Sequence, residues 1–324
     1  MKRIFLTGGA GFIGCNVAAQ LLEEGHEVAV YDSFVNYVFP LNRTHIDNID
    51  TRLRLIQDKI RIYRGSTQDQ DCLRRAVLDF RPQRIIHLAA MPLANLAVDH
   101  PEEAVQAILM GTLSLLQAAR DLPGFERLVY VSSSMVYGDF VRTPIREDDL
   151  KEPKELYGAM KLSGELLVRS FGGLFGIDWA IVRPSAVYGP TDNNRRVLGV
   201  FLEHALLGKK LQVRGGDNTL DFTYVSDAAR GVICAALHPG ASGRAFNITR
   251  GRARGILEAA RIIATLVPGA AIEVVEHDRR MPVRGALDIT RATGEIGFQP
   301  KVDIEQGLER YHAHLVDQRR RGIW

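Results

Sequence analysis

The chain has 324 residues, 46% of them hydrophobic and 24% charged, enough to build one large core or two smaller ones. Its 41 basic and 38 acidic residues leave a net charge of +3, which argues against nucleic acid as the main partner. No apolar run approaches the roughly 20 residues that span a bilayer, so no membrane is expected, and Cys15, Cys72 and Cys234 show neither a disulfide framework nor a zinc spacing, so no metal site is expected.

The first residues run directly into the strand pattern Lys2-Arg-Ile-Phe-Leu6 without the order of a signal peptide, which with the three separate cysteines suggests a reducing cytoplasm. Strand patterns fall at residues 3–7, 27–31, 60–63, 84–88, 127–132 and 178–182. Helical patterns alternate with them at about 12–24, 47–57, 69–79, 102–121 and 155–175. Such alternation predicts an α/β fold, a doubly wound parallel sheet of Rossmann type covered on both faces. Arg84-Ile-Ile-His-Leu88 is nearly continuous in apolar character, as a strand buried on both faces requires. Beyond Arg183-Pro184 the pattern loosens at Tyr188-Gly-Pro-Thr-Asp-Asn-Asn194, then gives helices at about 197–207, 226–237, 254–266 and 304–318 and a short strand at 211–213. The expected division is a cofactor domain over 1–182 and a smaller α/β substrate lobe over 183–324, discontinuous, with segments near 217–250 returning to the main sheet.

Thr7-Gly-Gly-Ala-Gly-Phe-Ile-Gly14 joins the first strand to the first helix. Gly8, Gly11 and Gly14 allow a tight turn and close approach of a pyrophosphate, while Phe12 and Ile13 open a helix whose free N–H groups and dipole favour an anion. The second strand ends at Asp32, which can accept hydrogen bonds from the adenosine ribose and would repel a 2′-phosphate. Ser33 and Phe34 follow with no arginine, so NAD is expected rather than NADP. Downstream, Tyr157 and Lys161 share one face of a helix, one turn apart. An ammonium beside a phenol stabilises the phenolate and lowers its pKa from about 10. The pair can then take a proton from an alcohol while a hydride leaves the same carbon.

Together with His87-Leu-Ala-Ala90, Val131-Ser-Ser-Ser-Met-Val-Tyr-Gly138, Arg183-Pro-Ser-Ala-Val-Tyr-Gly-Pro190 and Asp221-Phe-Thr-Tyr-Val-Ser-Asp227, these residues give the chain a resemblance to the extended short-chain dehydrogenases/reductases of the nucleotide-sugar epimerase/dehydratase family. The resemblance covers nearly the whole chain. It implies NAD held in the N-terminal domain, with Ser66, Thr67, Leu88, Ala89, Ala90, Tyr157, Lys161 and Pro184 joining the glycine loop and Asp32 around it. It implies a nucleotide-diphosphate sugar under the C-terminal lobe, and a homodimer formed through the helices at 102–121 and 155–175. The apolar faces of those helices can equally pack within one subunit. Matched on Val-Tyr-Gly, Ser133 takes the family's catalytic Ser/Thr position and would share the reacting oxygen with Tyr157.

The shared step is oxidation of a sugar hydroxyl, expected at C4. The family's dehydratases place Asp-Glu after the catalytic Thr, where this chain has Ser134 and Met135, and its decarboxylases keep a Glu at Met135. A 4-epimerase needs no further acid or base and is the expected activity. The alternative is an NAD(P)H-dependent 4-ketoreductase or dehydrogenase, with dehydratase, decarboxylase and noncatalytic NAD-binding readings behind it. Ala186 and Leu220 replace an Asn and an Arg with which the family contacts the substrate, Ile108 replaces a common Asn, and Ser66 an adenine-reading Asp. Arg196, Arg280 and Arg284 are candidates for the diphosphate, each equally readable as a solvated arginine. Met91, Pro92, Asn95, Ser133 and Ser134 are candidates for the sugar pocket, and His87 reads as a structural residue of its strand end.

Overall fold

In a computed structural model the chain is described over residues 1–324 except 38–39, 93, 217 and 277–281, and except the side chains of 94 and 95. The expected Asn95 side chain and Arg280 therefore lie outside the described residues.

Strand β1 (Arg3–Thr7) leads into helix α1 (Phe12–Glu23), followed by β2 (Glu27–Asp32), helix α2 (Arg43–Arg54), β3 (Arg61–Arg64), helix α3 (Gln70–Phe80), β4 (Arg84–His87), β5 (Arg127–Val131) and β6 (Trp179–Pro184). A parallel sheet of seven strands has the order Arg244–Ile248, β6, β5, β4, β1, β2, β3. The order reverses beside β1, so the carboxyl ends of β1 and β4 open a crevice between diverging connections, where doubly wound sheets bind ligands. All five residues of β5 are buried, as its central place demands. One face of the sheet packs α1 and the helix Val225–Leu237 through Val17, Leu21, Val232 and Ile233. The other face packs α3 and the helices Gly111–Arg120 and Leu156–Phe175 through Leu73, Leu115, Leu116 and Val168. A separate core gathers Phe201, Leu202, Leu211, Phe222, Ile263 and Leu308 under the C-terminal helices.

The single helix expected at 102–121 is instead Pro101–Val105, a π turn at Gln106–Met110 and Gly111–Arg120. Its irregularity has a local cause: the Thr112 hydroxyl donates to the Ile108 carbonyl at 2.5 Å, and Gly111 lies so near Thr67 that a Cβ would meet its Oγ1 at 2.5 Å. Helix α2 starts at Arg43, earlier than the expected 47, because Asn42 caps it: its side chain accepts from His45 N at 2.8 Å and the His45 ring accepts from Asn42 N at 3.3 Å. A helix at Thr290–Ile296 was not expected; it follows Asp288, whose carboxylate accepts from Thr290 N at 2.8 Å.

Candidate active site

A cleft of about 630 Å³ runs along the carboxyl ends of the central strands. At one end stands the glycine loop. Gly8 has φ +70°, and a Cβ there would press on Ala89 N; a Cβ at Gly14 would overlap the Gly8 carbonyl oxygen. The loop is thus closed down to backbone on backbone. Helix α1 begins without a side-chain cap, so its first N–H groups stay available. The bare cradle and uncapped helix start fit a dinucleotide's diphosphate.

Asp32 lies at this end, and its carboxylate accepts from Ala10 N at 2.9 Å and Phe34 N at 2.8 Å. It therefore braces the glycine loop as well as lining the cleft. Burial raises its pKa, and the two backbone donors act against that rise. Phe12, Ile13, Ser66, Thr67, Leu88, Ala89, Ala90 and Pro184 line the same cleft.

Tyr157 is the second residue of the helix Leu156–Phe175 and sits half-buried in the cleft wall, with Lys161 one turn deeper and buried. Lys161 Nζ donates to the Val131 carbonyl at 2.8 Å and lies 5.9 Å from the Tyr157 ring centroid. The expected lowering of the phenol by this lysine does not hold in the protein alone. Burial pushes Tyr157 up to about 12, and the charge acting to lower it is Arg196. Burial brings Lys161 down to about 8, against the pull of Glu165. The physical reason is that the ammonium is held by a strand carbonyl while both groups lose water.

Ser133 caps the short 3₁₀ turn Ser134–Tyr137, its Oγ accepting from Met135 N at 3.2 Å, and lines the cleft with Ser134, Met135 and Tyr157. Ser132 turns inward and donates to Glu165 Oε1 at 2.6 Å. Glu165 also receives both arms of buried Arg183, from Nε at 2.9 Å and Nη2 at 2.6 Å. Arg183 Nη1 donates to Tyr137 OH at 2.8 Å, and Tyr137 to Asn247 Oδ1 at 2.8 Å. This network fastens the serine turn, the Tyr157 helix, β6 and the Arg244–Ile248 strand to one another. His87 is buried between Thr7 Oγ1 at 2.6 Å and Thr112 Oγ1 at 3.0 Å, away from the cleft lining.

Of the other expected residues, Met91 does not reach the cleft: it is 1% exposed and packs with Ala97, Ile108 and Met160 behind Tyr157, because an unbranched apolar side chain fills that gap. Pro92 lines the cleft in its place, beside Ala186 and Leu220. Arg196 lines the cleft, held by Asp192 at 3.2 Å and the Val187 carbonyl at 3.1 Å. Arg284 lines it too; burial lowers its pKa against the pull of Glu155. Arg52 was missed. It belongs to α2, whose buried residues are Asn48 and Arg52, and its signal is a helix whose inward face is polar. Among the described residues no group of three His, Cys, Asp or Glu side chains is placed to hold a metal.

A family model described as the NAD dependent epimerase/dehydratase family matches residues 4–249. The chain is 31% identical over 315 residues to a UDP-glucose 4-epimerase of Mycolicibacterium smegmatis, covering 95% of this chain and 96% of that protein. The UDP-glucuronic acid 4-epimerase of Bacillus cereus, solved with UDP-glucuronic acid and NAD, superposes with a TM-score of 0.88 at 25% identity, over 97% of this chain and 99% of its own. A dTDP-glucose 4,6-dehydratase of Streptomyces venezuelae, solved with NAD, superposes with a TM-score of 0.86 at 28% identity, over 99% and 98%.

Proposed function

The chain belongs to the NAD dependent epimerase/dehydratase family, and on that footing we infer that it is an NAD-dependent epimerase of a nucleotide-diphosphate sugar, acting at C4 through a transient 4-keto sugar. The observation that carries the choice of reaction is the cleft wall at Ser133, Ser134, Met135 and Tyr157. It offers one phenol and serine hydroxyls, and at 134–135 no carboxyl group to expel water or guide a decarboxylation. Bound NAD supplies a hydride acceptor that returns the hydride. Tyr157 takes the proton from the sugar hydroxyl and gives it back after the ketone has turned its other face. Ser133 shares that oxygen, Arg196 supplies the positive charge that acts to lower the phenol, and Lys161, anchored on Val131, stands one helix turn deeper in the site. An epimerase returns both proton and hydride, so the site needs no proton path to solvent.

The glycine loop, Asp32, Ser66, Thr67, Leu88, Ala89, Ala90 and Pro184 would hold the cofactor. Arg196 and Arg284, which both line the cleft, are the described cations suited to the sugar diphosphate in place of the arginine lost at Leu220. Residues 1–182 serve the cofactor and 183–324 mainly the substrate. The subunits pair through Leu109, Leu113, Leu166 and Leu167, which line an apolar surface groove between the helices already singled out for dimer formation. The free thiols Cys15, Cys72 and Cys234 suit a reducing cytoplasm.

Purified protein incubated with UDP-glucose, UDP-glucuronic acid and their C4 epimers, without added cofactor, tests the reaction by NMR. Interconversion with no net NADH is expected. Turnover that demands stoichiometric NADH or NADPH would replace the epimerase with a reductase.

A further inference from the structure

Arg52 is a buried cation with no carboxylate in contact among the described residues. It is 8% exposed. Its Nη1 donates to the Thr191 carbonyl at 3.0 Å, and its Nε has no partner among the described residues. Among the described residues no carboxylate lies within 4.0 Å of its guanidinium nitrogens. The acidic groups that face it, Asp32 and Asp192, are already engaged: Asp32 by Ala10 N and Phe34 N, Asp192 by Arg196 and Asn194 N. The third facing group, Cys15, is a thiol that burial pushes up to about 11, hence uncharged near neutral pH.

Holding a guanidinium out of water without an ion pair is strongly unfavourable unless an anion arrives to match it. Arg52 shares the cleft with the glycine loop. Two of its neighbours mark where it stands: Asp32 braces Ala10 of that loop, and Cys15 lies in the first turn of α1. The anion this corner is built for is a diphosphate, because backbone N–H groups and a helix start converge there. A guanidinium adds parallel donors that match phosphate oxygens.

We propose that Arg52 is a cofactor-binding residue whose guanidinium pairs with the diphosphate of the bound dinucleotide. This rests on the NAD reading above. It also explains why α2 turns a polar face inward: the face meets a charged ligand and the loop at Thr191.

The test compares full-length wild type with Arg52→Met and Arg52→Lys, each stripped of cofactor. Calorimetric titration with NAD should show binding weakened at least about tenfold in Arg52→Met, partly recovered in Arg52→Lys, with the same loss for ADP-ribose, which keeps the diphosphate. The cofactor-free Arg52→Met protein should melt no lower than wild type, because an unmatched buried charge is gone, while its upward shift on adding NAD shrinks. Unchanged NAD affinity, or a loss confined to NADP, overturns the assignment. If Arg52→Met does not fold, Arg52→Lys decides, since it keeps the charge but not the fork: equal NAD affinity to wild type then overturns it. Wild type that binds no NAD would instead sink the cofactor reading, so the two failures are distinct.

Discussion

Tyr157 stands half-buried in the cleft wall, with Lys161 buried one turn deeper on the Val131 carbonyl. Their spacing announces a shared helix face, but burial pushes the phenol up to about 12 and the ammonium down to about 8. Lys161 is anchored on the Val131 carbonyl of another element, while Glu165, one turn further along the same helix, pulls its pKa back up. Tyr157→Phe should lower turnover by roughly a thousandfold, within the range of general acid–base catalysis, while NAD stays bound, as followed by NMR and by released cofactor. His87 gives a second prediction. Burial, with Lys161 nearby, lowers it from 6.5 to about 3. The unfolded chain takes up this proton as pH falls through about 6.5, while the folded chain does not until about 3. The stability it contributes is therefore present above that window and lost as pH falls through it. Thermal melts between about pH 7 and about pH 4 should fall more steeply for wild type than for His87→Asn.

Between elements, the decisive contacts are polar and buried. Arg183 on β6 and Glu165 on the Tyr157 helix are each almost fully buried and doubly hydrogen bonded. Arg183→Met would leave Glu165 charged, buried and unmatched, at a cost of about 3–5 kcal/mol in denaturant unfolding, whereas changing both residues to apolar ones should recover much of that. The pattern Arg-Pro after a strand and Glu four residues beyond Lys161 is visible in the chain, but their pairing is not, since they are 18 positions apart and on different elements. The glycine loop is the opposite case. Its spacing alone implied a turn too tight for side chains, and Gly14→Ala should destabilise the protein by about 1–3 kcal/mol and release NAD, read by melting and cofactor content, because its Cβ overlaps the Gly8 carbonyl.

Across the molecule, helix α2 and the C-terminal helix Ile304–Arg320 join through polar contacts, His314 and Gln318 on Asn48 and Gln318 on Asp47. The outer groove is lined by Leu109 and Leu113 and by Leu166 and Leu167 of the Tyr157 helix. Leu166 is 58% exposed, and for the proposed pairing of subunits through this groove wild type should sediment as a dimer and Leu166→Glu as a monomer, since a carboxylate cannot be buried unmatched in an apolar interface. The alternating pattern, the glycine loop and the motif serines and Tyr157 were enough to read the sheet, the cofactor class and the absence of an eliminating carboxylate, because each depends on local period or on residue type at short spacing. Where the cations stand was not readable in that way. Arg52, Arg196 and Arg284 come from three separated segments and meet in one cleft, while Met91, next in sequence to cofactor-lining residues, turns away from it. Sequence records which groups a chain owns; burial and long-range contact decide which of them share a solvent-poor space, and there charge must be matched.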